Sequence, residues 1–134
     1  MKMRMVIATI VAGLLALAST LANADDNLSK RTELKRADLS GAPGMEVVES
    51  IVEVMPGGMV ARHFHHGVEA AYVLQGSMVQ APGKDPTMME TGTPILNLRD
   101  VAHGGFKNVG TTTLKILTVH VVDKGKPLYD ENVK

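Results

Sequence analysis

The chain has 134 residues, enough for one domain, and its 14 basic and 14 acidic side chains give a formal net charge of zero. This balance argues against nucleic acid as a partner, because nucleic-acid binding needs a basic surface. The absence of cysteine excludes disulfides and a lipid-modified cysteine anchor. With only 3% aromatic residues, the domain must rely on a compact aliphatic core. We expect a homodimer, because association would bury further apolar surface.

The first 24 residues have the layout of a secretory signal peptide. Lys2 and Arg4 form a short basic start, residues 6–21 are apolar, and Ala22-Asn23-Ala24 is an A-x-A cleavage site. A membrane anchor is the alternative, but the apolar run is short for a span and two aspartates follow it. We therefore predict cleavage after Ala24 and a periplasmic or secreted protein without membrane association. Loss of Lys2 and Arg4 would leave 12 basic and 14 acidic side chains, a net charge of −2.

The mature chain begins with a polar segment of mixed charge. Residues 25–44 predict a solvated arm with a short strand or a turn of helix. Residues 45–55 are rich in Val and Ile and predict a strand, which ends at the Pro56-Gly57-Gly58 turn. Residues 59–65 and 69–75 are predicted to form the next two strands.

The second half of the chain continues the same pattern of short strands and turns. Residues 79–90 predict a hairpin with a polar tip, residues 95–98 a short strand, and residues 111–122 a long strand rich in β-branched side chains. No mature segment shows helical periodicity. This pattern predicts an all-β sandwich or barrel in a single domain. We place the barrel at residues 45–128 and a C-terminal tail at residues 129–134.

Two histidines and a glutamate stand close together between a Gly-Gly turn and a closing glycine. Residues i and i+2 of a strand point to one face, so His63 and His65 can aim two imidazoles at one point. If the chain turns at Gly67, Glu69 on the next strand adds a carboxylate. Two nitrogens and one oxygen suit a divalent transition metal. A merely structural histidine pair on a strand is the alternative interpretation.

This window resembles the first sequence signature of the cupin superfamily. That signature is a glycine, five residues, His-x-His, three residues, a glutamate, six residues and a glycine. Its fixed positions are filled here by Gly57, His63, His65, Glu69 and Gly76. The resemblance is to small exported bacterial cupins and runs over about residues 33–128. It implies a cupin-type jelly-roll β-barrel and a fourth metal ligand downstream, at His103.

The second cupin signature is altered in this chain. Gly92 and His103 fit its two ends, but Thr93 stands where the family often has Asp, and Asn108 follows His103 by five residues rather than four. A one-residue insertion turns every later side chain to the other face unless a bulge absorbs it. We therefore predict a bulge at Gly104-Gly105 that keeps His103 inward. The alternative is that His103 binds nothing.

Four further polar side chains have two interpretations each. Strand parity turns His66 away from the other two histidines of its cluster, so we predict that it lies at the rim. His120, on the inward face of the last strand, either lines the barrel near the metal or is an ordinary hydrogen-bonded strand histidine, and we choose the second interpretation. Arg62 and Arg99 could hold an anionic substrate at the mouth, but we interpret them as solvated surface residues.

The resemblance implies the ligand set His63, His65, Glu69 and His103 around one divalent transition metal, which is Fe, Mn, Ni, Cu or Zn. Four protein ligands leave positions open for a substrate, as in a catalytic site. We therefore expect a periplasmic metal-dependent oxidoreductase, dioxygenase-like, acting on a small organic molecule, with Glu69 as a catalytic proton carrier. An isomerase is the alternative chemistry. A non-enzymatic metal or small-ligand carrier or sensor is the second hypothesis and a metal-free cupin the third, because a superfamily does not fix an activity.

Overall fold

The computed structural model describes residues 28–134, so the predicted signal peptide and its cleavage site lie outside the described residues. The described chain forms nine strands and has no helix that could span a membrane. The strands are β1 (Ser29–Asp38), β2 (Met45–Val54), β3 (Met59–Val60), β4 (Gly67–Gln75), β5 (Ser77–Gln80), β6 (Thr87–Met89), β7 (Pro94–Asn97), β8 (Phe106–Asn108) and β9 (Leu114–Asp123).

The strands form two antiparallel sheets that pack face to face. One sheet has five strands in the order β1-β2-β9-β4-β7, and the other has four in the order β3-β8-β5-β6. Both sheets contribute to an aliphatic core formed by Val54, Val73, Val79, Leu114 and Ile116. The structure confirms the predicted all-β jelly-roll fold, with a core built from branched aliphatic side chains.

Strand β9 shows how the interior divides into a packed region and a polar region. Its ten residues alternate between buried and partly exposed positions, as expected for a strand with one face turned inward. The inward row is aliphatic at Leu114 and Ile116 and changes to polar side chains at Thr118 and His120. Buried polar groups need partners, so the polar site must be built at the His120 end of the barrel.

The segment predicted as a solvated arm contains a longer strand than expected. Strand β1 has ten residues and pairs along its length with β2, with one irregularity between Glu33 and Lys35. Nine of its ten positions are exposed. Arg36 hydrogen-bonds both Glu33 and the buried Glu46 of β2. An edge strand exposed on both faces has no apolar alternation, and the sequence pattern therefore did not reveal its length.

Candidate metal centre

Strand register brings three polar side chains together on the inner face of the five-stranded sheet. Glu69 on β4 lies directly opposite His120 on β9 and Asn97 on β7. Directly opposite residues of antiparallel strands point to the same face. Asn97 Nδ2 donates a hydrogen bond to Glu69 Oε2 at 2.6 Å, and His120 Nε2 lies 3.5 Å from Glu69 Oε1. Glu69 is thus contacted from both neighbouring strands.

A backbone bridge brings the downstream His103 next to the segment that carries His63 and His65. His63 and His103 lie directly opposite each other and are joined by two backbone hydrogen bonds of 3.0 and 2.8 Å. His65 is two residues from His63 and points to the same side. His63 and His65 are buried, and His103 is partly buried. His103 therefore faces inward, as predicted.

The inward orientation of His103 does not come from the predicted bulge. Two residues separate the Val60–Phe106 pair from the His63–His103 pair on each strand, so the register is continuous and a one-residue bulge is absent. In a regular strand, residues an odd number of positions apart point to opposite faces. The two pairs lie three positions apart along each strand, and yet all four side chains turn inward. Strand parity therefore changes on both strands at once. The predicted strand over residues 59–65 is broken at the same place.

Two consecutive glycines accompany this change of parity. Gly104 and Gly105 have φ angles of 72° and 73°, in the left-handed region that disfavours other residues. A Cβ atom on Gly104 would lie 2.7 Å from the carbonyl oxygen of Ala61.

Asn108 is fully buried and donates hydrogen bonds to the carbonyls of Val54 and Thr112, so its role is to fasten β8.

The donor atoms of the cluster have the spacing of ligands on one metal ion. His65 Nε2 lies 3.1 Å from His103 Nε2 and 3.3 Å from Glu69 Oε2, and His103 Nε2 lies 3.2 Å from Glu69 Oε2. Ligand atoms about 2.1 Å from one ion and at right angles to each other lie roughly 3 Å apart. In each of two overlapping triads, His63–His65–His103 and His65–Glu69–His120, the potential ligand atoms lie within 4.8 Å of one another. The structure thus brings the four predicted ligands together.

Backbone carbonyls fix the orientation of three imidazole rings. The Nδ1–carbonyl pairs are His63 with Ala61 at 2.7 Å, His65 with Leu128, and His103 with Val101 at 3.0 Å. A carbonyl can only accept a hydrogen bond, so each Nδ1 carries the proton. The neutral rings therefore turn the lone pair of Nε2 toward the cluster, which is the tautomer that a metal ligand needs.

Three buried ring nitrogens near the cluster form no hydrogen bond. His63 Nε2 and both ring nitrogens of His120 are buried without a hydrogen-bond partner, and they are the only such side-chain atoms in residues 28–134. A buried polar atom left unpaired costs about 1–3 kcal/mol. The facing Nε2 atoms of His65 and His103 also repel each other when both rings are neutral. The donor set and its unpaired atoms fit a divalent transition metal.

Burial and hydrogen bonding act in opposite directions on the acidic and basic groups. Burial raises the pKa of Glu69, but hydrogen bonds from His103, His65 and Asn97 outweigh it and hold the pKa well below its usual value. Burial opposes protonation of His103, but the hydrogen bond with Glu69 prevails and raises the pKa of His103. Glu69 therefore favours the protonated form of His103, whereas burial disfavours the protonated forms of His63 and His120.

His120 belongs to the cluster, and its interpretation as an ordinary hydrogen-bonded strand histidine is wrong. The side chain is fully buried, and neither ring nitrogen has a hydrogen-bond partner. Burial lowers the pKa of His120 to about 4 and also lowers the pKa of His63. Both rings are therefore uncharged at neutral pH, and each can offer a nitrogen lone pair to a metal. Parity placed His120 inward, but only the register of β9 against β4 places it opposite Glu69.

Two side chains near the mouth lie outside the cluster. His66 Nε2 is 3.1 Å from Asp130 Oδ2, and its Nδ1 is 3.6 Å from Asp100 Oδ1, which confirms the prediction of a rim residue. Arg99 is exposed and forms two hydrogen bonds with Asp123, of 2.8 and 2.9 Å. Its guanidinium is thus engaged at the surface, as expected.

The C-terminal residues complete the site, and sequence reasoning missed them. The ring of the partly buried Tyr129 lies 4.6 Å from the ring of His63, centroid to centroid. Asp130 forms two backbone hydrogen bonds of 3.0 Å with Phe64, in the histidine segment. Residues 128–130, the C-terminal strap, therefore pair antiparallel with the segment that carries the histidines. No motif surrounds Tyr129, and only the tertiary contact reveals it.

A cavity of about 270 Å³ opens beside the cluster. His63, Glu69 and His103 line it, whereas His65 and His120 do not. Most of the remaining wall is apolar, with contributions from Val52, Ala71, Met89, Ile95, Phe106 and Ile116. A small molecule in this cavity would reach three of the four predicted ligands.

The comparison with known families agrees with this geometry. The family described as "Cupin domain" matches residues 50–120, which is more than half of the chain. The chain belongs to the cupin family. The match runs from strand β2 to His120 and includes the four predicted ligands of this cupin. No curated protein matches the chain significantly.

Three solved structures have a fold similar to that of this cupin. The polyketide cyclase RemF from Streptomyces resistomycificus is 24% identical, with a TM-score of 0.57 over 81% of this chain and 74% of that chain. An oxalate oxidase in complex with the substrate analogue glycolate is 25% identical, with a TM-score of 0.52 over 72% of this chain and 52% of that one. The DMSP lyase DddQ from Ruegeria pomeroyi DSS-3 is 15% identical, with a TM-score of 0.58 over 86% of this chain and 57% of that one.

Proposed function

We propose that this cupin is an exported, metal-dependent oxidoreductase with dioxygenase-like chemistry on a small organic molecule. The observation that carries the proposal is the convergence of histidine Nε2 lone pairs and the Glu69 carboxylate at the wall of a cavity. A bound redox-active metal would supply a Lewis acid or redox centre with positions left open to a substrate. The similarity to an oxalate oxidase, whose name denotes oxidation of a small organic acid, supports this reaction class.

In this proposal the chain holds the metal ligands in fixed orientations. His63, His65 and His103 are oriented by their Nδ1 hydrogen bonds to backbone carbonyls, and Asn97 orients Glu69. Glu69 would serve first as a ligand, because a carboxylate with a lowered pKa is a weak base. For the catalytic role that we assign to it, Glu69 would have to leave the metal and accept a proton from the substrate.

One observation supports a second candidate, a metal or small-ligand carrier without turnover. Glu69 is the only carboxylate among the described residues that line the cavity, and its lowered pKa opposes proton transfer at neutral pH. A carrier needs the same ligands but no general base. Tight metal binding that exchanges with chelators, without turnover of any tested substrate, would favour this candidate.

The oxidoreductase proposal is tested by oxygen consumption. The exported protein is loaded separately with Fe(II), Mn(II), Ni(II) and Cu(II), its metal content is verified, and phenolic, diketone and organic-acid substrates are screened with an oxygen electrode. We expect oxygen uptake with at least one pair of metal and substrate, and loss of that uptake in His103→Ala. Fully loaded protein that consumes no oxygen with any of them would reject the oxidoreductase and leave the isomerase and the carrier.

Export is tested on the same preparation. Mass spectrometry of the protein recovered from the periplasm or the medium should show Asp25 as the first residue, because cleavage is predicted after Ala24. Recovery of the full-length chain in the cytoplasm would reject export without affecting the metal site.

A further inference from the structure

The cavity beside the metal cluster concentrates its polar groups at one end. His63, Glu69 and His103 form that end. The amide of Asn97 already donates to Glu69, and the hydroxyl of Thr118 donates to the carbonyl of Ser50 at 3.4 Å. Tyr129, the one other polar side chain that residues 28–134 contribute to the lining, packs on His63 at the same end, and the remaining surface is aliphatic and aromatic. A ligand would therefore contact polar side chains at one end of the cavity and apolar side chains around its body.

No lysine or arginine in the described part of the chain lines this cavity. Arg62 and Lys107 line a neighbouring groove instead, and Arg99 is engaged by Asp123. A second carboxylate on a ligand would lie against apolar walls without a counter-charge. Burying an unpaired charge in such surroundings is strongly unfavourable.

The volume of the cavity sets an upper limit on the size of the ligand. Its volume of about 270 Å³ lies just below the usual range for ligand pockets, which begins at roughly 300 Å³. It is the share of liquid volume taken by about nine water molecules, at about 30 Å³ each. The ligand should therefore have about ten non-hydrogen atoms.

We infer that the cavity binds a small molecule with one chelating pair of oxygen atoms and an otherwise uncharged, apolar body, in preference to a dicarboxylate. A 1,3-diketone and a monocyclic catechol are members of this class. The inference deepens the proposed function and rests on it for the metal that the oxygen pair would approach. It predicts that this cupin does not prefer diacids such as oxalate.

Pentane-2,4-dione and malonate form a matched pair for the test. Each has seven non-hydrogen atoms and can chelate through two oxygens, but the diketone ends in methyl groups where malonate ends in charged oxygens. Their dissociation constants are measured by calorimetry on Ni(II)-loaded protein and divided by those for free Ni(II), which removes the difference in intrinsic metal affinity. We expect this corrected ratio to favour the diketone at least tenfold. A ratio below tenfold, or one that favours malonate, would overturn the inference.

Two variants on strand β7 locate the effect in the cavity. Ile95 lines the cavity, whereas Leu96, the next residue, is 64% exposed on the opposite face. Ile95→Lys places a cation beside the ligand and should shift the corrected ratio at least tenfold toward malonate, whereas Leu96→Lys should leave it unchanged. An unchanged ratio in a folded Ile95→Lys protein would overturn the inference. If that variant fails to fold, the wild-type ratio alone decides.

A separate measurement distinguishes failure of this inference from failure of the proposed function. If the protein takes up no Ni(II), the proposed function fails, and the cavity is examined by methyl NMR of the metal-free protein with toluene as the probe. Shifts of the Ile95 and Ile116 methyl signals would support an apolar ligand class. Unchanged methyl signals at millimolar toluene would overturn it.

Discussion

Asn97 is the side chain that fixes the carboxylate of the cluster. Its amide donates to Glu69 Oε2 at 2.6 Å from the adjacent strand. We predict that Asn97→Ala lowers metal affinity about 10- to 100-fold, as is usual for the loss of a hydrogen bond that orients a ligand. Competition with a chromophoric chelator measures the affinity, and Leu96→Ala on the opposite face is the matched control. Equal affinity in both variants would contradict the assigned role of Asn97.

His103 should make metal binding depend on pH. Its pKa is raised above the ordinary value of 6.5 by the hydrogen bond with Glu69, despite burial. Below that pKa, metal must displace a proton from His103, so log affinity should fall by about one unit per pH unit as pH decreases, and should level off above it. The burial-lowered pKa values of His63 and His120 add proton competition only at lower pH. Metal affinity that does not change between about pH 6 and pH 8 would contradict this picture.

At the scale of single residues, sequence reasoning identified the side chains whose spacing is local. His63, His65 and Glu69 lie close together in the sequence, and the family resemblance supplied His103. Asn97 and His120 join them only through the register of β4 with its two neighbours. A register between distant strands is set by the whole sheet, so no short motif contains it.

At the scale of elements, the C-terminal strap distinguishes the two tyrosines of the chain. Tyr129 packs on the histidine rings, whereas Tyr72 is 49% exposed on the outer face of β4. We predict that Tyr129→Ala destabilises the metal-free fold by about 2 kcal/mol, because it removes a partly buried ring that packs on the histidines. Tyr72→Ala should cost less than about 1 kcal/mol. Urea denaturation of both variants measures the difference, and equal losses would show that the strap does not pack as described.

The same two tyrosines provide a local probe of the metal site. The protein has no tryptophan, so tyrosine dominates its fluorescence. Binding of Cu(II) or Ni(II) should quench fluorescence in wild type and in Tyr72→Phe, since Tyr129 lies against His63 and His65. In Tyr129→Phe the quenching should be largely lost. Quenching that persists in Tyr129→Phe and disappears in Tyr72→Phe would place the metal elsewhere.

Strands with alternating or β-branched sequences were the elements that could be predicted. β2, β4 and β9 lie close to their predicted bounds because each has an apolar face turned to the core. The polar strand β1 was underestimated, and the strap at residues 128–130 has no pattern of its own. Both are held by partners distant in sequence, and local periodicity does not report such partners.

At the scale of the whole molecule, the metal should stabilise the fold. The ligands come from β4, from the bridge between His63 and His103, and from His65, so binding joins segments from both halves of the barrel. A ligand that binds only the folded state at about 1,000 times its Kd adds about 4 kcal/mol. We predict a rise in Tm on loading, reversed by a chelator. An unchanged Tm in protein shown to contain metal would mean that the ion binds outside this cluster.

The measurement that tests the central claim most directly is elemental analysis of natively exported protein, with His103→Ala as the comparison. We predict close to one divalent transition metal ion per chain in wild type and a marked loss in His103→Ala, because His103 Nε2 faces both His65 Nε2 and the Glu69 carboxylate. Wild-type protein that is folded and exported but contains no metal would contradict the claim that these residues form a metal centre.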